Sequence, residues 1–231
     1  MAWALPGKGA PKVAVAIPLK GTVSGEWATA FAQMIKATSV EMNIYLNGHF
    51  ELDYARNDLV DMAKKDGCTH LFFLDGDVLP FMWNGKKLEP YPTVIEYMLY
   101  QEYPIVTGVY WTKRGYPNIG LMTDNQFAPK MLTGKLEDIV GRHLYVDVFG
   151  TGCCLIDMRV FDKVAYPWFL YYRPNERNAE GAWDEVSEDF YFGYKAKRAG
   201  FLTLALGELM CKHEGRVFHT WSGDAEAHLL T

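Results

Sequence analysis

The sequence predicts one α/β domain, built on a parallel β-sheet with helices on both faces. Short apolar runs alternate with helix-like segments up to about residue 110, as in strands joined by right-handed helical crossovers. The chain has 231 residues, of which 49% are hydrophobic, so it can bury the core of one large domain. Since no repeat, low-complexity tract or linker divides the sequence, residues 1–231 are predicted to form a single domain.

The first strand is predicted over residues 13–17, a short apolar run that ends at Pro18. A turn-like loop over residues 19–25 leads into a helix over 26–38, and a short strand follows at 43–46. The next helix is predicted over residues 53–65, with Asp53 as its N-cap and a glycine just past its end.

The third strand, residues 71–74, is fully apolar and runs directly into Asp75-Gly76-Asp77. Beyond it the pattern is less regular, although further elements are still recognisable. They are a helix at 93–100, a strand at 104–110, loose strand-like pieces over 112–147, strands within 146–156 interrupted by Gly150-Thr151-Gly152, and helices at 159–163 and 185–199, followed by a strand at 201–206.

Composition and charge bear on the class of function and on the compartment. The formal net charge of -5 argues against a nucleic-acid-binding protein, which would normally carry a basic face. The four cysteines have no zinc-type spacing and look like small core residues in a reducing compartment. With neither an apolar signal-peptide core near the N-terminus nor a run of 18 apolar residues, we expect no transmembrane segment and a cytoplasmic location.

Two carboxylates follow the third strand, where the ligand crevice of an open α/β sheet lies. In extended chain, residues two apart point to the same side, so Asp75 and Asp77 can converge on one ion. Gly76 between them leaves room for close approach by a ligand. Carboxylates beside a diphosphate suit Mg²⁺ or Mn²⁺. The alternative is an ordinary Asp-Gly-Asp turn after a strand.

Two further segments carry candidate chemistry. Glu188 and Asp189 lie near the start of a predicted helix, where Asp189 could act as a general base or could merely favour the helix dipole. His213 follows the last predicted strand and could ligate a Mn²⁺-type ion, with His219 and His228 as rivals.

Together these segments resemble the glycosyltransferase A-fold superfamily, particularly its family-2-like members, from about residue 13 to residue 219. The family's motifs appear in the expected order. The matching segments are Ala55-Arg56-Asn57, Asp75-Gly76-Asp77, Gly150 to Ile156 with Arg159-Val160-Phe161 after it, Ser187-Glu188-Asp189, and His213.

The resemblance implies a Rossmann-like nucleotide-binding sheet, with a nucleotide-binding part at about residues 11–111 and an acceptor-side part at about 112–231. It implies a transferase that moves a sugar from a UDP- or GDP-sugar to a carbohydrate, lipid or protein acceptor. The roles carried over are Mn²⁺ or Mg²⁺ binding by Asp75, Asp77 and His213, nucleotide contacts by Pro18, Arg56, Asn57, Asp75 and Gly76, and general-base catalysis by Asp189.

Several alternatives stay open. The loop at residues 18–25 lacks the acidic residue that many family-2 enzymes place against the base, so the nucleotide is undetermined. Transfer is expected to invert the anomeric centre, although the same fold also serves retaining enzymes. Other classes considered are a phosphatase of the haloacid-dehalogenase type, a nucleotidyltransferase, and a non-catalytic sugar- or nucleotide-binding protein on a decayed transferase domain. Residues 172–184 are expected to form a mobile lid or acceptor loop.

Overall fold

A computed structural model describes most of the chain. The described residues are 10–19, 21–49, 51–112, 115–122, 129–132, 136–172, 186–214, 217–218 and 228–229. Within them lie five α-helices and one short 3₁₀ helix at Leu136–Asp138. The helices are α1 (Gly25–Ala37), α2 (Leu52–Lys65), α3 (Val94–Tyr100), α4 (Met158–Lys163) and α5 (Glu188–Arg198).

The described residues also form sixteen strands, many of them very short. They are β1 (Lys12–Pro18), β2 (Glu41–Asn47), β3 (His70–Leu74), β4 (Val78–Leu79), β5 (Phe81–Trp83), β6 (Leu88–Pro90), β7 (Ile105–Val109), β8 (Ile119–Met122), β9 (Pro129–Met131), β10 (His143–Val146), β11 (Val148–Phe149), β12 (Cys153–Asp157), β13 (Thr203–Met210), β14 (Lys212–His213), β15 (Val217–Phe218) and β16 (His228–Leu229).

The central sheet has the strand order β2-β1-β3-β12-β7-β13-β5-β6, with β10 paired to β13. Strand β1 runs parallel to β2 and β3, and β7 runs parallel to β13, which confirms the predicted parallel pairing. Strand β12 is antiparallel to both β3 and β7. The start of β12 therefore lies at the same edge of the sheet as the carboxyl end of β3.

Alternate residues of the central strands pack against two different helix layers. Ala14 and Ala16 of β1 face a core that includes Leu59 of α2, Phe161 of α4 and Phe192 of α5. The neighbouring residues of β1 face a second core together with helices α1 and α3; these are Val13, Val15 and Ile17. Helices therefore cover both faces of the sheet, as predicted. The boundary between a nucleotide part and an acceptor part stays a prediction.

Several element boundaries differ from the sequence-based expectation, three of them close to the residues discussed below. Helix α2 begins at Leu52, and its N-cap is Glu51, which is the last extended residue, so the prediction of Asp53 as N-cap is wrong. Helix α5 begins at Glu188 after the extended N-cap Ser187. Strand β13 continues past residue 206 to Met210, because an irregularity in its pairing with β7 absorbs the break in the apolar pattern.

The four cysteines are free thiols, and all of them are buried. In the described part of the chain, no helix is long and apolar enough to span a membrane.

Candidate active site

The backbone of Asp75 is fixed from three sides. The Asp75 N–H donates to the Gly152 carbonyl at 2.9 Å, just before β12 begins. The Asp75 carbonyl accepts from the Trp27 indole N–H of α1 at 2.9 Å and from the Val78 N–H at 3.0 Å. Since β3 is buried along its whole length, this acid stands at the end of a rigid strand.

Glycines allow the chain to pack closely around the two carboxylates. A Cβ on Gly76 would lie 2.8 Å from the Leu19 Cδ1 atom. A Cβ on Gly152 would lie 2.9 Å from the Tyr110 hydroxyl and 3.1 Å from the Asp75 Oδ2 atom. A Cβ at position 76 could be accommodated if the flexible Leu19 side chain shifted, whereas position 152, packed against the buried Tyr110, requires the absence of a side chain.

His213 lies directly beside Asp77. The short strands β4 and β14 pair through His213 and Val78, and this pairing sets the His213 Nε2 atom 3.3 Å from the Asp77 Oδ2 atom. The other ring nitrogen, Nδ1, lies 3.0 Å from the Trp111 carbonyl. A carbonyl can only accept, so Nδ1 carries the proton in this contact and Nε2 is the nitrogen directed at Asp77.

The structure brings together two of the three predicted metal ligands. Among the described residues, no three His, Cys, Asp or Glu side chains converge as a complete metal site. Asp75 is instead held by Arg56, whereas Asp77 and His213 pair with each other. One carboxylate oxygen and one imidazole nitrogen suit Mn²⁺ or Mg²⁺, ions that commonly complete their coordination with water and substrate phosphates.

Arg56 of α2 links the two acidic segments. Its Nη2 atom lies 3.0 Å from Asp75 Oδ1, and its Nε atom donates to Glu188 Oε1 at 3.1 Å. The guanidinium also lies 5.2 Å from the centroid of the Phe73 ring. Burial alone would lower the pKa of Arg56, but the negative charges of Asp75 and Glu188 raise it above its usual value. The side chain therefore stays charged inside the protein.

Asp189 occupies the first turn of α5 beside this ion cluster. Its Oδ1 atom accepts from the Ser187 hydroxyl and, at 2.8 Å, from the Phe190 N–H. Burial and then the Glu188 charge raise the pKa of Asp189 to about 7, while Ser187, Arg56 and the Phe190 N–H oppose the shift. A carboxylate of this kind is poised to exchange a proton near neutral pH.

Tyr110, the residue that follows β7, lies between the two acidic segments. Burial raises its pKa well above the usual value, and the charges of Asp75 and Asp189 add to the effect. Its hydroxyl accepts from the Gly152 N–H at 3.1 Å, and its ring packs edge-on against His213 at 5.3 Å. Motifs that are far apart in sequence therefore surround one buried phenol.

A cavity of about 680 Å³ opens at this edge of the sheet. Predicted site residues line it, namely Pro18, Asp75, Gly76, Asp77 and His213. Its wall also includes Leu19 and Thr22 of the loop after β1, Ala55 of the Ala55-Arg56-Asn57 segment, and Tyr171. Three further lining residues were missed by the sequence argument: His49, Glu51 and Leu52. His49 and Glu51 follow β2, the parallel neighbour of β1. Their place after a predicted strand is a signal that could have identified them.

Both the nitrogen and the oxygen of the Asn57 side-chain amide form hydrogen bonds within the protein. Its Nδ2 atom donates to the carbonyls of Asp53 and Phe169, each at 2.8 Å, and its Oδ1 atom accepts from the Phe169 N–H at 3.2 Å. Like Arg56, it is buried. The predicted nucleotide contacts of Arg56 and Asn57 stay predictions. Because both side chains are buried and bonded to other protein groups, we expect either residue to affect a ligand through those protein partners.

Some sequence-based candidates lie outside the described residues. Residues 173–184 of the expected lid and His219 are among them, and nothing is described of the His228 side chain.

Comparison with known proteins gives evidence on the fold. No protein-family model matches the chain, and no curated protein matches it. The solved structure of A197 from STIV superposes with a TM-score of 0.57 and 21% identity, over 96% of this chain and 94% of that one. The structure of GalNAc-T7 with UDP, GalNAc and Mn2+ matches with a TM-score of 0.48 and 12% identity, over 90% of this chain and 44% of that one.

The second likeness is too distant to support a conclusion. The first extends over nearly the full length of both chains and concerns the fold. Together with the observed strand order, it confirms the predicted α/β sheet with helices on both faces.

Proposed function

We propose that the chain is a metal-dependent glycosyltransferase of the A-fold superfamily that moves a sugar from a UDP- or GDP-sugar to an acceptor hydroxyl. One observation carries the proposal: Asp75, Asp77 and His213 line a cavity of about 680 Å³ at the edge of the sheet where β3 ends. That volume lies within the usual range for small-molecule sites. The family-2-like assignment rests on the order of the sequence motifs.

Asp77 and His213 would hold the divalent cation, and Asp75 would contribute from the other side of Gly76. A bound Mn²⁺ or Mg²⁺ would stabilise the negative charge that develops on the leaving diphosphate. His213 is oriented for this task because the Trp111 carbonyl fixes its Nδ1 proton and Tyr110 packs against its ring. Such second contacts set the tautomer and direction of a metal-binding imidazole.

The nucleotide would lie along a wall formed at the end of β1 by Pro18, Leu19 and Thr22. His49 and Glu51, which follow β2, continue this wall. This part of the cavity follows the carboxyl ends of two parallel strands. It offers apolar surface for a base together with polar groups for its edge. Both UDP and GDP remain candidate donors, and the acceptor could be a carbohydrate, a lipid or a protein.

Asp189 would remove the proton from the acceptor hydroxyl, and the acceptor would then attack the face opposite the leaving group. The reaction would invert the anomeric centre. The raised pKa of Asp189 supports this role, because a general base works best when its pKa is close to the working pH. The predicted cytoplasmic location stays a prediction.

The test is a nucleotide-release assay with UDP- and GDP-sugars in the presence of Mn²⁺, applied to the wild type and to Asp77→Ala. The Asp77 side chain is 41% exposed, so its loss should leave the fold intact while abolishing turnover and cation-dependent nucleotide binding. Asp162→Ala is the matched control, since this exposed acid on α4 pairs with Lys64 and does not belong to the site.

Near-normal turnover of Asp77→Ala with Mn²⁺ would show that the metal assignment is wrong. Nucleotide binding by the wild type without any turnover would favour the non-catalytic alternative. A product with retained anomeric configuration would exclude Asp189 as an inverting base.

A further inference from the structure

A single buried cation connects the two acidic segments of the site. The Arg56 side chain is 1% exposed and the Glu188 side chain is 3% exposed, whereas the Asp75 side chain, at 21%, reaches the cavity. Arg56 meets Asp75 at 3.0 Å through Nη2 and Glu188 at 3.1 Å through Nε. Asp75 is therefore the member of the cluster through which a ligand in the cavity can act on the buried pair.

The two carboxylates compete for one positive charge. A buried ion stays charged only while its partners compensate for the water it has lost, so both contacts matter to Arg56. The guanidinium is planar and rigid, and a movement that satisfies one carboxylate therefore changes the contact with the other. No second Lys or Arg contacts Asp75 or Glu188 among the ion pairs of the described residues.

Glu188 connects Arg56 to Asp189, the proposed general base. It is the first residue of α5 and precedes Asp189. Burial and then the Glu188 charge raise the pKa of Tyr171, and Tyr171 lines the cavity. A continuous set of contacts thus runs from Asp75 through Arg56 and Glu188 to the first turn of α5.

We propose that Arg56 is a positioning residue that couples ligand binding at Asp75 to the placement of the first turn of α5. The proposal rests on the proposed function for the identity of the ligand. When a donor binds at Asp75, the contact between Asp75 and the Arg56 guanidinium weakens. The contact between Arg56 and Glu188 then strengthens. Helix α5 is then held in one position while the nucleotide is bound.

A double-mutant cycle tests this coupling with isosteric changes. The affinity for UDP and for GDP, each with Mn²⁺, is measured by calorimetry for the wild type, Glu188→Gln, Asp75→Asn and the double variant. With a neutral residue at position 188, Arg56 should hold Asp75 more tightly, and nucleotide binding should weaken about three- to tenfold, the range expected for contacting residues. In the Asp75→Asn background the same change should have an effect of less than about twofold.

Glu208→Gln is the matched control, because Glu208 is a largely buried glutamate that bonds Tyr97 and His143 and is not part of the ion cluster. It should leave the nucleotide affinity unchanged. Arg56→Lys gives a second cycle with Asp75→Asn, since lysine keeps the charge but cannot bridge both acids in the same plane. Arg56→Lys should weaken nucleotide binding in the wild-type background, and in the Asp75→Asn background it should change affinity by less than about twofold.

Equal effects of Glu188→Gln in the wild-type and Asp75→Asn backgrounds would overturn the coupling, even if the wild type binds nucleotide and turns it over. If either variant that carries Glu188→Gln does not fold, the Arg56→Lys and Asp75→Asn cycle decides, and additive effects there would equally overturn it. If the wild type binds neither nucleotide with Mn²⁺, the proposed function fails, and the coupling fails with it.

Discussion

Replacing Asp189 with asparagine should make the protein more stable and almost inactive at the same time. Asparagine keeps the Oδ1 acceptor for the Ser187 hydroxyl and the Phe190 N–H, so the first turn of α5 retains its contacts. It cannot accept a proton at neutral pH. General-base catalysis contributes about 10²–10⁴-fold, and sugar transfer should decrease by a factor in that range, while nucleotide affinity changes little.

The gain in stability follows from the raised pKa of Asp189. Folding shifts this pKa from an ordinary value of 3.8 to about 7, mainly through burial and the Glu188 charge. One pKa unit corresponds to about 1.36 kcal/mol, so the ionised side chain costs the folded state at most about 4 kcal/mol. Since the folded state holds the proton more tightly than the unfolded chain, wild-type stability should decrease as the pH rises from about 4 to about 7.

Urea denaturation at pH 4 and at pH 8.5 would measure this difference. Asp189→Asn should have a free energy of unfolding close to that of the wild type at the acidic pH and a higher one at the alkaline pH. Wild-type turnover should rise with pH through an apparent pKa near 7, as the base loses its proton. An acid that merely favoured the helix dipole would give the opposite sign, with the variant a few tenths of a kcal/mol less stable at pH 8.5. That sign, or transfer within about threefold of the wild type, would refute the reasoning.

Two further substitutions probe the packing around Tyr110 and the proposed metal ligand His213. Gly150→Ala would place a Cβ 2.2 Å from the buried Tyr110 hydroxyl and should lower the free energy of unfolding in urea by about 1–3 kcal/mol, whereas Gly25→Ala, with nothing within 4 Å of its Cβ, should be nearly neutral. Equal costs at the two glycines would contradict the packing described. His213→Gln should reduce the affinity for Mn²⁺, measured by calorimetry, by at least about tenfold, because the Trp111 carbonyl and the Tyr110 ring hold the imidazole of this proposed ligand in one orientation. Unchanged Mn²⁺ affinity would remove His213 from the site.

The parts of the fold that could be predicted are those with a local signal. The apolar runs of β1 and β3 identified buried strands, and the acids that follow β3 identified the edge where a cavity opens. The direction of β12 could not be predicted, because an apolar strand looks the same in sequence whichever way it runs. The N-cap of α2 was misplaced, since a glutamate at position 51 gives a weaker capping signal than Asp53.

The site was only partly predictable for a similar reason. Asp75, Asp77 and His213 were expected to bind one ion together. In the structure, Asp77 pairs with His213, whereas Asp75 pairs with Arg56. The Arg56 contacts span 19 and 132 residues along the chain, and no local pattern encodes an ion pair over such separations. Sequence order can identify which residues carry chemistry, but which of them pair depends on how the helices pack.

The position of His213 has a consequence for how the protein folds. Glu214, the residue after His213, accepts a hydrogen bond from the Ser24 hydroxyl at 2.7 Å. These two residues are 190 positions apart in the sequence. Contacts of such long range form late, because the entropy of closing the loop must be lost before the contact contributes. During synthesis the strands around β3 can therefore assemble before the pair of Asp77 and His213 exists. Strands β1, β2 and β3 would pair first, and Asp77 and His213 would meet only when β14 docks against β4.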